Sequence, residues 1–255
     1  MSRPFALLLS ALSVCGCANF WDEVTSHNFH MKDLFTKEEP LIVLRDSNDG
    51  YKRGKALAKL VEPAQHGGNR EEQELYIKIL TKAAGDDHDP LCRLGAIQAL
   101  GTYKDSRAAR CLEGVYQQRL PFTPELNTVI RQQALTSVVQ TGNPDSRSLL
   151  VRVARSPNGT VDSSLTDRQQ TQDERLTAIR GLAKYSQVDS IETLVYVMET
   201  EKDVALHNRA HESLKVATGK NLPDDAKVWR NLMQNPQMAH RPEPNFIERV
   251  MFWNK

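Results

Sequence analysis

The chain of 255 residues has almost no net charge and few aromatic residues, so neither feature assigns it to a functional class at once. Lysine and arginine number 33 against 32 aspartates and glutamates, so no excess charge attracts nucleic acid or an anionic membrane surface to the protein as a whole. Aromatic residues make up only 6% of the chain, which favours helices over sheets. Hydrophobic residues make up 40% and recur with helical spacing in the middle of the chain, so this part is expected to be folded.

The short motifs of common enzymes are also missing. There is no Gly-rich phosphate loop, since Gly67-Gly68 lies in a plain turn, and there is no Gly-x-Ser-x-Gly nucleophile elbow. His207 and His211 stand four positions apart, the spacing of two zinc ligands on one helix face, but a third ligand is not evident. We therefore expect a non-enzymatic protein without metal or other cofactor. The alternative is a metal-dependent enzyme or enzyme accessory protein that uses the His207/His211 helix face.

No apolar run is long enough to span a bilayer, and the clearest one stands at the N-terminus. Phe5–Val14 follows Arg3 and has the length of the apolar part of a signal peptide, well short of the roughly 20 residues that a transmembrane helix needs. The next residues, Val14-Cys15-Gly16-Cys17, resemble the lipobox of bacterial lipoproteins, in which a small residue precedes the acylated cysteine. We expect residues 1–16 to be a lipoprotein signal peptide and Cys17 to be the site of lipidation.

The residues after the cysteine bear on location. Cys17 is followed by Ala18 and Asn19 and not by an aspartate. By resemblance to other lipoproteins, this predicts the periplasmic side of the outer membrane rather than the inner membrane. We expect a protein of the cell envelope that is attached to the membrane through its N-terminal lipid. Residues 17–37 would form the tether.

Two cysteines remain beyond this signal, Cys92 and Cys111. An oxidising envelope permits a disulfide between them. Cys92 begins one predicted helix, however, and Cys111 lies in the middle of the next, which makes the geometry of a bridge unfavourable. We favour two packed thiols and keep the bridge as the alternative.

One phrase occurs five times between Asp49 and Leu214. A capping residue is followed four positions later by a basic residue, then by alanine and by aliphatic residues at the spacing of one helix stripe. The basic position recurs about every 40 residues, the period of solenoids built from two-helix repeats. The capping and basic positions are Asp49 and Arg53, Asp89 and Arg93, Asn127 and Arg131, Thr171 and Arg175, and Asp203 and His207.

A second helix is expected between consecutive phrases. Asp105-Ser106, Asp145-Ser146 and Asp189-Ser190 each precede a stretch of periodic apolar residues. Earlier helices of this kind are predicted at Leu41–Arg45 and Glu72–Ala84. Glycines stand where left-handed helix ends are expected after the phrases, and these are Gly101, Gly142 and Gly219.

On the phrase and on the Asp-Ser and Asn-Pro-Asp turns, the chain resembles bacterial HEAT-repeat lipoproteins over about residues 38–235. The resemblance implies an all-α superhelix, a solenoid of about five two-helix repeats. It also implies a ladder in which a turn aspartate of one repeat bonds the arginine of the next. The residues assigned to this ladder are Asp89, Arg93, Asp105, Arg131, Asp145 and Arg175, with Asp105 reaching Arg131 and Asp145 reaching Arg175. The alternative is that these arginines are merely solvated helix residues.

Three segments lie outside the regular repeats. Ser156–Gln170 is a polar insertion, and Asn221–Asn235 has the pattern of an amphipathic helix that would cap the last repeat. Residues 236–255 form a Pro-containing tail that either packs on the domain or docks elsewhere. Its apolar residues are Phe246, Ile247, Val250, Met251, Phe252 and Trp253.

The sequence thus predicts a membrane-anchored scaffold or adaptor that mediates protein–protein interaction in the bacterial cell envelope. A stack of repeats is usually a binding surface. The partner is expected to be an envelope protein, whose identity the sequence leaves unknown. The phrase helices are expected to line a concave inner face that binds the partner. Helical phase alone suggests candidates for this face, and these are Lys52, Gln98, Thr136 and Arg180.

Overall fold

A computed structural model of the chain describes residues 39–157 and 164–234. Within these ranges the protein is all-α, with eleven α-helices and no strand. The expected signal peptide, Cys17, the tether and the apolar tail all lie outside the described residues. No helix in the described ranges is both long and apolar enough to cross a membrane.

The helices are short to medium in length and follow one another closely along the chain. They are α1 (Pro40–Asp46), α2 (Gly50–Ala58), α3 (Arg70–Asp86), α4 (Pro90–Thr102), α5 (Ser106–Gln117), α6 (Pro124–Thr141), α7 (Arg147–Ala154), α8 (Leu165–Leu182), α9 (Val188–Thr200), α10 (Val204–Thr218) and α11 (Ala226–Met233). Two short 3₁₀ helices, Pro63–Gln65 and Pro144–Ser146, lie between them.

The helices are arranged in two layers. The helices that carry the repeated phrase, α2, α4, α6, α8 and α10, each pack against the next one of the set, and we call them the phrase layer. In the second layer α3 packs on α5, and α7 packs on α9. Across the layers α3 packs on α4, α5 on α6, α7 on α8 and α9 on α10, while α1 packs on α2. The described chain is therefore a row of helix pairs that lie side by side.

Three of the five predicted capping residues begin a helix. The Asp49 carboxylate accepts hydrogen bonds from the backbone N–H groups of Tyr51 and Lys52, at 2.8 and 3.2 Å. Asp89 and Asp203 cap α4 and α10 in the same way. Each cap satisfies N–H groups that have no partner inside the helix.

The predictions that Asn127 and Thr171 are capping residues are wrong. Both lie inside longer helices, because earlier residues supply the start signals. In α6 a proline occupies the first position, where its missing N–H costs nothing. In α8 Ser164 and Asp167 form a reciprocal capping box. The predicted insertion Ser156–Gln170 is therefore helical from Leu165 onward.

Two of the three predicted glycine ends are confirmed. Gly142 and Gly219 follow α6 and α10 with φ of 64° and 70°, in the left-handed region that favours glycine. Gly101 instead lies inside α4, so the third prediction is wrong. A Cβ atom at Gly101 would lie 2.9 Å from the Cβ atom of Ser137 on α6. Glycine is needed there because the neighbouring helix approaches closely.

One continuous apolar core fills the space between the layers. Each pair contributes aliphatic side chains that are removed almost completely from water, which is the main source of stability in such a stack. Fully buried members include Leu57, Leu80, Ile97, Leu100, Leu112, Ile130, Leu135, Leu149, Leu150 and Ile179. The core is shared between neighbouring pairs, so no pair could bury its apolar side alone.

Cys92 and Cys111 are unbridged thiols. Cys92 is buried in α4 and its Sγ lies 3.6 Å from the carbonyl oxygen of Gly50, while the Sγ of Cys111 lies 3.7 Å from that of Thr81. Burial raises the pKa of both thiols to about 11. The prediction of two packed thiols is confirmed.

Candidate functional site

One side of the phrase layer is left open to solvent within the described chain. The phrase helices α4, α6 and α8 have neighbours of their own layer on either side, α2 and α10 have one such neighbour, and each also packs on a helix outside its layer. Residues at four phrase positions of α4, α6, α8 and α10 are exposed or partly exposed to solvent, although Leu94 and Leu176 also pack against the core. They are Leu91, Leu94, Gln98 and Thr102 on α4, Val129, Gln132, Thr136 and Gln140 on α6, Asp173, Leu176, Arg180 and Lys184 on or just after α8, and Ala205, Asn208, Glu212 and Val216 on α10. We call these sixteen solvent-accessible residues the free face.

Neighbouring phrase helices contact each other at similar parts of the phrase, offset by one or two positions. The Thr128 hydroxyl of α6 is 3.0 Å from the Oε1 atom of Gln170 on α8. The Gln172 amide of α8 donates to the Asp203 carboxylate at 2.8 Å. Because this offset is small, residues at the same phrase position follow one another from helix to helix across the free face.

The middle of the free face carries very little charge. The exposed residues of α4 and α6 are Leu91, Gln98, Thr102, Pro124, Glu125, Leu126, Val129 and Gln132, and only one of them is charged. On the other side of the molecule α3 alone exposes Arg70, Glu71, Glu72, Glu74, Lys78, Lys82 and Asp86. Depletion of charge together with exposed aliphatic groups distinguishes a protein-binding surface from an ordinary solvated one.

A row of apolar side chains crosses the first three phrase helices. Tyr51, Leu91 and Val129 each stand two positions before the basic residue of their phrase, on α2, α4 and α6. Their exposed fractions are 59%, 46% and 48%. Apolar residues at one repeated position and at such exposure form a surface patch that a partner would remove from water.

The inter-repeat ladder does not form with the partners that were predicted. Among the described residues no hydrogen bond or ion pair joins Asp105 to Arg131 or Asp145 to Arg175. Asp105 caps α5 and is held instead by the Arg107 guanidinium, 2.7 Å away, because Arg107 stands only two positions further along the chain. The backbone N–H of Asp145 donates to the Asn143 side chain at the start of a 3₁₀ helix.

The basic residue of the phrase nevertheless contacts the following repeat. Arg53 reaches Asp87 at 3.2 Å, and the buried Arg175 reaches Glu201 at 2.6 Å. Both acceptors stand two positions before the cap aspartate of the next phrase, Asp89 or Asp203. In the sequence, the acceptors of these arginines are therefore marked by Asp-x-Asp or Glu-x-Asp at the start of the next phrase helix. The predicted ladder relied instead on the aspartates of the turns that follow the phrase helices.

The arginines of the second and third phrases contact aromatic rings. The Arg93 guanidinium lies 5.0 Å from the ring centre of Phe122, in the loop before α6, and Nε of Arg93 donates to the backbone oxygen of Asp87. The Arg131 guanidinium lies 5.1 Å from the ring centre of Tyr116 and 3.9 Å from Glu174 of the next repeat. Arg93 thus has a cation–π contact where a carboxylate was predicted, whereas Arg131 combines such a contact with a carboxylate other than the predicted Asp105.

Contacts that were not predicted from the sequence join the loops of adjacent repeats. The hydroxyl of Tyr103, after α4, donates to the backbone oxygen of Leu60, after α2, at 3.2 Å. The hydroxyl of Tyr185, after α8, donates to that of Asn143, after α6, at 2.9 Å. In the sequence, each of these contacts corresponds to a tyrosine that stands shortly after a phrase helix. Glu62 adds a buried carboxylate that accepts the N–H groups of Lys104 and Asp105 before α5.

The His207/His211 helix face holds the last helix in place. The Nε2 atom of His207 lies 2.8 Å from the Asp224 carboxylate, and that of His211 lies 2.9 Å from the backbone oxygen of Leu222. The His211 ring also meets the Trp229 ring edge-on, with 6.0 Å between the ring centres. Within the described ranges no group of three His, Cys, Asp or Glu residues is placed to hold a metal ion. These histidines are engaged in the packing of α11.

We expect Asp105 to make the stability of the stack pH-dependent. The hydrogen bond from Arg107 is the largest cause that lowers the pKa of this carboxyl from 3.8 to about 2. A carboxyl with a depressed pKa in the folded state stabilises above its unfolded pKa, and that contribution disappears as the pH falls through 2. Asp105→Asn, which keeps the cap, should cost about 2 kcal/mol near neutral pH.

Urea unfolding of wild type and Asp105→Asn across the acid range measures this difference. It should shrink toward zero as the pH approaches 2, because the wild-type carboxyl then becomes neutral as well. A difference that stays constant with pH would show that Arg107 does not stabilise the ionised carboxyl.

No protein-family model matches the chain, and no curated protein matches it at a significant level. The function is therefore inferred from the free face, from the low charge in its middle and from its row of apolar side chains. The contacts of the phrase arginines and of the two histidines are accounted for by the packing of the repeats.

Proposed function

We propose that the protein is a non-catalytic scaffold of about five HEAT repeats that binds another protein of the bacterial cell envelope through the free face. In this proposal residues 1–16 are removed as a lipoprotein signal peptide. Cys17 then carries the lipid that anchors the chain to the outer membrane, on its periplasmic side. The lipidated cysteine and the tether are inferred from the sequence alone.

The packing of the helices supports the solenoid. Helix pairs repeat with a period near 40 residues, as in HEAT arrays. Successive phrase helices pack against each other from repeat to repeat, and the phrase arginines bridge successive pairs. At the C-terminal end α11 covers α9, as a terminal cap of a repeat stack should.

The observation that carries the binding proposal is the contrast between the two surfaces. In the second layer α3 exposes seven charged side chains, whereas α4 and α6 in the middle of the free face expose mainly aliphatic, amide and hydroxyl groups. Gln98, Gln132 and Asn208 each offer both hydrogen-bond donors and acceptors, so they suit the mixed groups of a polypeptide. A partner bound there would lose little hydration of charge, and its affinity would depend only weakly on salt.

The test is site-specific photo-crosslinking in intact cells. A photoreactive residue in place of Gln132 should capture a discrete partner protein, because Gln132 lies in the middle of the free face. The same residue in place of Lys78, equally exposed on α3, is the matched control and should not capture that protein. Leu91→Arg together with Val129→Arg should reduce the capture at Gln132 at least about tenfold, since two buried charges oppose binding.

Two further measurements complete this experiment. Unfolding curves should show that the double arginine variant retains its stability, because both positions are exposed. Cys17→Ala should release the protein from membranes and reduce capture, whereas Cys15→Ala should not. Equal capture from Gln132 and Lys78 would contradict the assignment of the free face as the binding surface.

A further inference from the structure

The first end of the stack contains a groove. It lies among α1, α2 and α3, has a volume of ≈ 590 Å³, and its floor is apolar. The floor consists of Leu41, Leu44, Leu57, Ile79 and Ala83, and the charged rim consists of Arg45, Arg53, Lys82, Asp86, Asp87 and His88. A groove of this size lies in the range of sites that bury several apolar groups of a ligand.

The two ends of the described stack are finished differently. At the far end the amphipathic helix α11 packs on α9 and buries Trp229 completely. At the near end α1 has seven residues and no buried side chain. Leu41, Leu44 and Ile79 are only partly buried against the core. A terminal repeat needs a cover with an apolar inner side, and α1 alone supplies only part of one.

The chain itself supplies a segment of matching chemistry next to this groove. Residues 29–38 directly precede α1, which forms one wall of the groove. Met31, Leu34 and Phe35 have the i, i+3, i+4 spacing of one helix side, and Phe29 precedes them. Lys32, Asp33, Lys37 and Glu38 carry both signs of charge, as the rim of the groove does. The four residues between Phe35 and Pro40 can span roughly 14 Å, enough to turn back across α1.

From this juxtaposition we propose that residues 29–38 dock in the groove among α1, α2 and α3 and form the N-terminal cap of the stack. Met31, Leu34 and Phe35 are the side chains that enter the apolar floor. The docked segment completes the first helix pair as α11 completes the last.

The proposal has a consequence for the distance between the folded stack and the membrane. If residues 17–38 were all free, the 22 residues could extend for roughly 75 Å, whereas 12 free residues extend for about 40 Å. This consequence rests on the proposed lipidation of Cys17, but the docking itself does not. Docking would hold the free face nearer to the membrane surface.

The experiment uses the purified mature chain with a photoreactive residue in place of Ile79, which lines the groove. Irradiation should give a product of monomer mass in which position 79 is linked to a residue between 29 and 38, identified by peptide mass spectrometry. The matched control places the photoreactive residue at Leu75, one turn earlier on α3 and 47% exposed, outside the groove lining. That position should not link to the segment.

A second variant tests the apolar side chains. Leu34→Asp together with Phe35→Asp should reduce the crosslink at least about tenfold, because charged groups oppose entry into an apolar floor. Thr36→Asp is the control with the same type of charge and should retain the crosslink. Linkage of position 79 to residues 246–253, to a second copy of the chain, or to no residue at all would each overturn the proposal.

Discussion

Replacing Arg175 with methionine should lower the free energy of unfolding by about 4 kcal/mol, the scale of breaking a buried ion pair from one side. Arg175 is 4% exposed, and its Nη2 atom lies 2.6 Å from Glu201, whose side chain is 11% exposed. Nε of Arg175 also donates to the backbone oxygen of Ala154. The variant removes both contacts and leaves a carboxylate in a poorly solvated place. Urea unfolding followed by far-ultraviolet circular dichroism measures the loss.

A double-mutant cycle separates the ion pair from the packing. Glu201→Gln in the Arg175→Met background should recover part of the lost stability, because the side chain at position 201 then carries no charge in this poorly solvated place. Arg180→Met on the same helix is the matched control, and at this exposed position the change should stay within about 0.5 kcal/mol. A single-variant loss as small as that of Arg180→Met would show that the pair does not stabilise the stack.

Substituting Gly95 by alanine should cost about 3 kcal/mol, because the added methyl group meets the backbone of a neighbouring helix. A Cβ atom at Gly95 would lie 2.1 Å from the carbonyl oxygen of Gly54 on α2. Backbone atoms cannot rotate away as a flexible side chain can, so α2 and α4 would have to separate. The free energy of unfolding from urea titration tests this result.

Gly114→Ala provides the control for this substitution. Gly114 lies in α5, and a Cβ atom there would have no neighbouring atom within 4 Å. Alanine loses less backbone entropy in a helix, so this variant should gain about 0.5 to 1 kcal/mol. If both variants changed stability by the same amount, the close approach of α2 and α4 would not be the cause of the loss.

Helix caps and left-handed helix ends were predicted correctly where the interacting groups are close to each other along the chain. Asp49, Asp89 and Asp203 cap their helices because the carboxylate and the N–H groups that it accepts are within three residues of each other. Asn127 was misread because a proline three residues earlier supplies a competing start. The ends at Gly142 and Gly219 were predicted because a left-handed residue is a local requirement.

Partners across repeats were not predictable in the same way. Asp105 was expected to reach Arg131, but Arg107 of its own helix is nearer and forms the ion pair. Arg93 and Arg131 were expected to bond carboxylates, but they lie over Phe122 and Tyr116. Which of several possible partners a side chain contacts depends on how far adjacent helices are shifted against each other. A shift of a fraction of a turn is enough to change the partner. Spacing along the chain does not contain that offset.

The sequence by itself determined that the described chain is helical and that its helices recur in pairs, because capping and apolar periodicity act over a few residues. Only the tertiary structure decided which groups join one pair to the next, and it decided which side of the phrase helices stays open. The offset and close approach of α2, α4, α6 and α8 result from packing along their whole length, including the contact of Gly95 with Gly54. Every exposed row and every inter-repeat partner follows from that packing.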